Sequence, residues 1–318
     1  MSVIAARNLR KSFGDTIAVA DLSFTVAAGK VLGLLGPNGA GKTTTINMLT
    51  TLTTIDAGSA AVAGFDVATQ PFDVRRVIGL AGQTAAVDEK LTARENLRLF
   101  GRFYKIPKRQ LDERIEELIS EFRMSEFADR IAETYSGGER RRLDVVAALV
   151  ANPPALFLDE PTTGLDPRSR AELWEAIVRL AAAGTAIVLT TQYLEEADRL
   201  ADEIVLIDKG TAVARGTPEQ LKRGMERDVL EVHFPTKAAF RAGEEIVGST
   251  GGVAADEQAN LIRIPVGEGA RSSLEILRNL DESGVELLDF QLRRPTLDDV
   301  FLSKTGAVAD AATKGGRQ

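Results

Sequence analysis

The sequence predicts an α/β chain in which a mostly parallel sheet covered by helices is followed by a smaller α+β domain. Two observations carry this. Short apolar runs alternate with helical patterns through the first two thirds of the chain, and strand–helix alternation implies a mostly parallel sheet. Beyond residue 224 the order becomes strand, helix, strand, strand, helix, strand, which is the ferredoxin-like pattern.

The runs Val31–Leu35, Ile78–Ala81, 155–158, 185–189 and 204–207 are nearly all apolar, so they read as strands buried on both faces. Helical stretches fall between them, at Lys42–Leu49, 94–104, 108–122, 138–150, Pro167–Ala182 and Leu194–Leu200. Residues 22–26 alternate and suggest an antiparallel strand at the sheet's edge. In the second domain, 229–234, 252–255, Leu261–Val266 and 285–292 read as strands, and Lys237–Val247 and 270–280 as helices. Residues 295–302 read as a short capping helix. The stretch 303–318 is small and polar, with nothing to bury, and is expected to be disordered. The expected domains are 1–224, with a helical subdomain at about 84–150, and 225–302.

Composition narrows the chemistry. The chain has 318 residues, enough for a core without staples. It has no cysteine, which excludes disulfides and thiolate metal sites. A single histidine, His233, excludes metal sites built on a pair of histidines from this chain. It lies in a predicted strand and reads as a packing or surface residue. Net charge is −7, which argues against a nucleic-acid partner. Arg7 interrupts the start before any apolar stretch long enough for a signal peptide. The longest apolar run, 145–151, is far short of a membrane span. The chain is expected in the cytoplasm, and any membrane role requires a partner.

Gly36-Pro37-Asn38-Gly39-Ala40-Gly41-Lys42-Thr43 fits G-x-x-x-x-G-K-[ST] and is followed by Thr44. It follows a strand and opens a helix, the context a phosphate-binding P-loop requires. Glycines let backbone N–H groups converge on phosphate oxygens, and the helix N-terminus adds its dipole. Lys42 reaches the β- and γ-phosphates, and the Thr43 hydroxyl suits Mg²⁺. A plain glycine turn would not explain Lys-Thr at this offset. Ala155-Leu-Phe-Leu-Asp159-Glu160 sets two carboxylates at the end of a buried strand, where doubly wound sheets bind ligands. Asp159 is expected to hold Mg²⁺ and Glu160 to polarise an attacking water as general base. Alone, two acids at a strand end are commonplace; beside the glycine loop they are not.

Three further stretches resemble motifs of the ABC ATPases. Tyr135-Ser136-Gly137-Gly138-Glu139 resembles the family's L-S-G-G-Q signature. Gln83, in Leu-Ala-Gly-Gln-Thr, is similar to the Q-loop glutamine, which senses Mg²⁺ and contacts the transmembrane partner. Pro161-Thr-Thr-Gly-Leu-Asp166 resembles the D-loop. The resemblance covers residues 1–224 and implies a P-loop NTPase core of the ABC ATPase type. Tyr-Ser-Gly-Gly, Thr191-Gln-Tyr-Leu-Glu-Glu-Ala-Asp198 and Pro295-Thr-Leu-Asp-Asp-Val-Phe-Leu302 resemble the daunorubicin/doxorubicin-resistance type of drug-export ATPase. Three positions depart from the family's pattern. Gln192 stands at the usual switch histidine, Glu139 at the usual glutamine, and Phe13 at the usual adenine-stacking tyrosine.

The resemblance implies an ATP- and Mg²⁺-dependent ATPase subunit at the cytoplasmic face of the membrane. It implies a homodimer in which each signature completes the other subunit's site, bound to a polytopic permease that itself contacts the transported compound. Its rivals are a soluble ABC ATPase and a nucleotide-sensing module without transport. The former should carry coiled-coil insertions, zinc cysteines or a second cassette; Glu160 argues against the latter. Arg140, Arg141 and Arg142 read either as support for the phosphate end or a partner interface, or as a solvated helix face. Trp174 reads as core.

Overall fold

The computed structural model describes residues 2–223, 228–248, 253–267 and 270–305. Contacts divide the chain into two compact units, Met1–Thr217 and Pro218–Gln318.

In the first unit, β1 (Ser2–Phe13) and β2 (Thr16–Ala27) form a long antiparallel hairpin with Gly14 and Asp15 at its turn. Phe13 therefore sits at the hairpin tip. β3 (Val31–Leu35) runs through the glycine loop into α1 (Lys42–Leu49). β4 (Ala57–Val62) pairs antiparallel with β1, and β5 (Phe65–Asp66) with β4. α2 (Pro71–Arg76) leads into β6 (Ile78–Ala81).

A helical segment follows: α3 (Ala93–Phe103), α4 (Lys108–Glu121), a 3-10 turn at Ala132–Thr134, and α5 (Gly137–Leu149). α3 starts where Thr92 and Glu95 cap each other's backbone N–H groups. On α4 the buried residues Leu111, Ile115, Leu118 and Ile119 recur at helical spacing, each worth roughly 1.5–3 kcal/mol of burial. The chain then alternates through β7 (Ala155–Asp159), α6 (Pro167–Ala182), β8 (Ala186–Thr191), α7 (Leu194–Leu200), β9 (Glu203–Asp208) and β10 (Thr211–Gly216).

The ten strands are ordered β5-β4-β1-β2-β10-β9-β3-β8-β7-β6. The five from β9 to β6 are parallel, and every residue of β3, β7 and β8 is buried. Pairing sets Leu35 beside Thr191, Asp159 beside Thr190 and Ala81 beside Leu158. The residues that follow β3, β6, β7 and β8 therefore emerge along one carboxyl edge. Within the parallel set, β8, β7 and β6 lie on one side of β3 and β9 on the other, so the switch in strand order falls at this edge.

One expectation is corrected. The strand over 22–26 is not at the edge, because β2 is paired on both sides, with β1 and with β10.

The second unit contains α8 (Pro218–Arg223), β11 (Asp228–His233), α9 (Lys237–Val247), β12 (Ala254–Asp256), β13 (Leu261–Val266), α10 (Ala270–Glu282), β14 (Asp289–Arg293) and α11 (Leu297–Thr305). The sheet runs β12-β13-β11-β14, antiparallel throughout, as the ferredoxin-like order requires. Leu230, Val232, Phe240, Ile262, Ile264 and Leu280 form its core. β14 is shorter than the strand expected over 285–292. His233 ends β11 half-buried, between Leu261 and Asp289. Residues 303–305, expected to begin a disordered tail, continue α11, where the Ser303 hydroxyl donates to Val300 O at 2.8 Å. The rest of that tail lies outside the described residues.

Candidate active site

The glycine loop follows β3 in a space too narrow for side chains. A Cβ on Gly36 would lie 2.2 Å from Ile207 O, and one on Gly41 would lie 2.4 Å from Ala18 O. Gly41 also takes φ 106, which L side chains rarely adopt. Pro37, Asn38 and Gly39 are exposed, and Ala40 N closes the turn on Pro37 O at 3.2 Å. Gly41 caps α1 without a side-chain hydrogen bond, so the first-turn N–H groups, those of Lys42, Thr43 and Thr44, face an incoming anion with no side-chain competitor.

Lys42 is 4% exposed. Its Nζ donates to Gly36 O at 2.8 Å and Pro37 O at 3.1 Å, and lies 3.4 Å from Glu160 Oε1. These acceptors compensate a buried ammonium and hold it inside the loop.

Thr43, Asp159 and Gln83 meet at one point. Thr43 Oγ1 donates to Asp159 Oδ1 at 3.2 Å and accepts from Gln83 Nε2 at 3.0 Å. Thr190, not singled out in the sequence, completes the group. Its hydroxyl donates to Asp159 Oδ1 at 2.6 Å and accepts from Glu160 N at 2.9 Å. A Thr-Thr pair ending an otherwise apolar strand was the available signal. Glu160 has φ 48, a left-handed value that costs a non-glycine residue strain and is held here by Thr190. One of its carboxylate oxygens faces Lys42, and the other accepts from Thr163 Oγ1 at 3.4 Å.

A hydroxyl, a carboxylate and an amide within hydrogen-bond reach form an oxygen-donor set that suits Mg²⁺, once a half-turn of the Gln83 amide points its oxygen inward. No group of three or more His, Cys, Asp or Glu among the described residues could hold a metal ion. Mg²⁺ commonly takes its remaining ligands from substrate phosphates and water.

The other predicted residues lie on further loops and helix starts of the first unit. Gln192 follows β8, whose last carbonyl, Thr191 O, accepts from Gly36 N at 3.4 Å. Phe13 is 54% exposed, with Lys11 Nζ 5.4 Å from its ring centroid. Lys11 is itself fixed by Asp56 Oδ1 at 2.7 Å and Thr54 Oγ1 at 3.1 Å. Asp166 caps α6 by accepting from Arg168 N, Ser169 N and Ser169 Oγ, and these bonds, Ser169's first, hold its carboxyl below the usual range.

Ser136 and Glu139 bond each other. Glu139 N donates to Ser136 Oγ at 3.2 Å, and Ser136 N donates to Glu139 Oε2 at 2.8 Å, a complete capping box on α5. Arg130 pairs with Glu139 at 3.2 Å. A Cβ on Gly138 would lie 2.7 Å from Ser169 Oγ, so the glycine lets α5 approach the start of α6.

The three arginines after the signature differ. Arg140 pairs with Glu89 at 2.7 Å, and Arg142 pairs with Glu172. Arg141 is buried, so a solvated face does not describe it. Burial lowers its pKa against the opposing charges of Asp144 and Asp159, and burial pushes the Asp144 carboxyl up. Trp174 is buried as expected, and its Nε1 donates to Glu196 Oε1 at 2.9 Å.

Residues 19–163 match the ABC transporter family model, and residues 216–305 match the C-terminal domain of DrrA1-3-like ATP-binding proteins. The daunorubicin resistance ATP-binding protein DrrA2 of Streptomyces coeruleorubidus is 47% identical over 305 residues, covering 95% of each chain. The chain belongs to the ABC transporter family of ATP-binding proteins. Like its relatives in that family, it is an ATPase. The doxorubicin resistance ATP-binding protein DrrA of Mycobacterium tuberculosis is 42% identical over 319 residues, covering 98% of this chain and 96% of its own. The Nod factor export ATP-binding protein I of Burkholderia lata is 42% identical over 236 residues, 74% of this chain and 78% of its own. Among solved structures, an ATP-binding subunit of an ABC transporter aligns with TM-score 0.65 and 30% identity, over 70% of this chain and 93% of its own. The resemblance to drug-resistance ABC ATPases thus extends through both units. No helix among the described residues is long and apolar enough to cross a membrane.

Proposed function

We propose that this ABC ATPase powers a membrane exporter of drug-like or other hydrophobic compounds. It acts as a homodimer at the cytoplasmic face, bound to a polytopic permease that contacts the cargo. The names of its relatives support this: daunorubicin and doxorubicin resistance, and Nod factor export. A soluble ATPase without transport is not favoured by them.

The observation that carries the chemistry is the meeting of Thr43, Gln83 and Asp159 beside Glu160 and Lys42. In this reading the loop amides from Gly36 to Thr44 and the Lys42 ammonium bind the phosphates of ATP. Phe13 offers its ring face to the adenine. Thr43, Asp159 and Gln83 hold Mg²⁺, which supplies charge neutralisation on the phosphates. Glu160 takes the proton of the attacking water, and Gln192 orients water and γ-phosphate through its amide. Ser136, Gly137, Gly138 and Glu139 of a second copy close over the nucleotide, with Asp166 beside them. ATP binds the closed dimer better than the open one, and that difference drives the cycle.

Glu160→Gln tests the assignment. ATP binding should persist while hydrolysis falls by roughly 10²–10⁴-fold, the range for a positioned acid–base group. An ATP-bound dimer should accumulate on size-exclusion chromatography. Near-normal turnover would remove Glu160 from its role.

A further inference from the structure

A buried ion pair on α5 lies outside the roles assigned above. Arg141 is 9% exposed and Asp144 is 2% exposed. Arg141 Nε donates to Pro161 O at 3.0 Å, Nη2 to Asp159 O at 2.9 Å, and Nη1 both to Gly82 O and to Asp144 Oδ2, the latter at 3.1 Å. Asp144 Oδ1 in turn accepts from Ala86 N at 2.8 Å. Two side chains one turn apart on one helix thus hold the carbonyls on both sides of Glu160 and the backbone on both sides of Gln83.

The chemistry suits arginine. Only a planar fork with five N–H donors can serve four acceptors in three directions, and lysine cannot span them. Stability alone is a poor reason for the pair, because apolar residues of similar volume often replace a buried ion pair at no loss. Geometry is a better one. Glu160 sits in a left-handed conformation that its surroundings must enforce, and Arg141 holds the carbonyls of the residues before and after it.

We propose that Arg141 and Asp144 are positioning residues that lock the Gln83 loop and the Glu160 turn to the signature helix, so that both present their side chains to one nucleotide only when α5 is in place. The proposal rests on the reading of Gln83 and Glu160 as hydrolytic residues.

The test compares Arg141→Met, Asp144→Asn and the double variant Arg141→Met/Asp144→Leu with wild type and Glu160→Gln. Thermal melts, ATP affinity without Mg²⁺, kcat and the Mg²⁺ concentration for half-maximal rate are measured on the full chain. Arg141→Met should keep ATP affinity, lower kcat by roughly 10–100-fold, as small misplacements of reacting groups do, and raise the Mg²⁺ requirement. Asp144→Asn should shift both in the same direction by less. The double variant, with its apolar filling, should melt like wild type and remain slow. A folded double variant with wild-type kcat and Mg²⁺ dependence overturns the proposal, as does failure of every Arg141 variant to fold, which would make the pair a folding element. If Glu160→Gln turns over normally, the underlying reading fails instead, whatever the Arg141 variants do.

Discussion

Two glycine-rich helix starts in the first unit are built in opposite ways. α1 begins at Gly41 with no side-chain cap, and its neighbouring lysine folds back on the loop carbonyls. α5 begins at Ser136 with both halves of a capping box made and a salt bridge from Arg130 behind it. Both ends carry the same dipole. The uncapped end leaves its first-turn amides without a side-chain partner, as the proposed phosphate binding requires. The capped end is already organised, with only the amides of Gly137 and Gly138 left at its first two helical positions. A helix end whose cap is already satisfied fits the proposed closure over a nucleotide held by another copy. The difference teaches that a glycine-rich helix start is not by itself a binding site; what its cap already satisfies decides how it can be used.

The largest break in this comparison comes from Lys42→Ala. It removes the one cation inside the uncapped loop, and a charge-assisted contact of that kind is worth ~3 kcal/mol, over a hundredfold in affinity. Equilibrium nucleotide binding should fall by at least that factor, with the fold retained by circular dichroism. Binding within a few-fold of wild type would show that the amides alone hold the phosphates.

A smaller effect is expected at Gln192, which follows the β8 carbonyl that Gly36 bonds. Gln192→Ala should lower kcat by about tenfold with little change in ATP affinity or melting, because the contact proposed for it would matter most as charge moves on the γ-phosphate. Gln cannot titrate, and the only histidine, His233, lies in the other unit. The wild-type kcat should therefore show no histidine limb, and Gln192→His should create one near pH ~6.5. A lowered melting temperature with normal kcat in Gln192→Ala would instead make this residue a turn cap.

Sharpest at the capped end, and smallest, is Glu139→Gln. The amide oxygen can still accept from Ser136 N, so the box survives, while the pair with Arg130 is lost. Arg130 is about half exposed, and such pairs contribute ~1 kcal/mol or less. A melt should show a destabilisation within that bound; a loss several times larger would mean that Arg130, rather than the box, organises α5.

What the sequence reveals here follows from how far each signal reaches. The strands β3, β7 and β8 are legible because parallel strands buried on both faces read as apolar runs. The glycine loop is legible because its spacing is dictated by phosphate. The ferredoxin-like order follows from element succession alone, since connection rules leave few arrangements. β1 is not legible. Its pairing shifts register between Ala6 and Leu9, which moves the buried face by one residue and erases the alternation. Thr190 and Arg141 escape for a different reason. A threonine at a strand end and three consecutive arginines look like surface chemistry until the fold places one against Asp159 and another against three backbone carbonyls. Such roles belong to tertiary geometry, which local spacing does not encode.

The uncapped and capped ends are held to act on one nucleotide from two different copies, and mixed dimers test this most directly. Lys42→Ala destroys the uncapped end, and Ser136→Arg blocks the capped one. Each variant alone should be inactive in steady-state ATP hydrolysis. A defined dimer of one Lys42→Ala chain and one Ser136→Arg chain should regain activity, at no more than half the wild-type rate, because a single site then combines an intact uncapped end with an intact capped end from the other chain. A mixed dimer as inactive as its parents, with pairing confirmed by mass, would contradict action across the two copies.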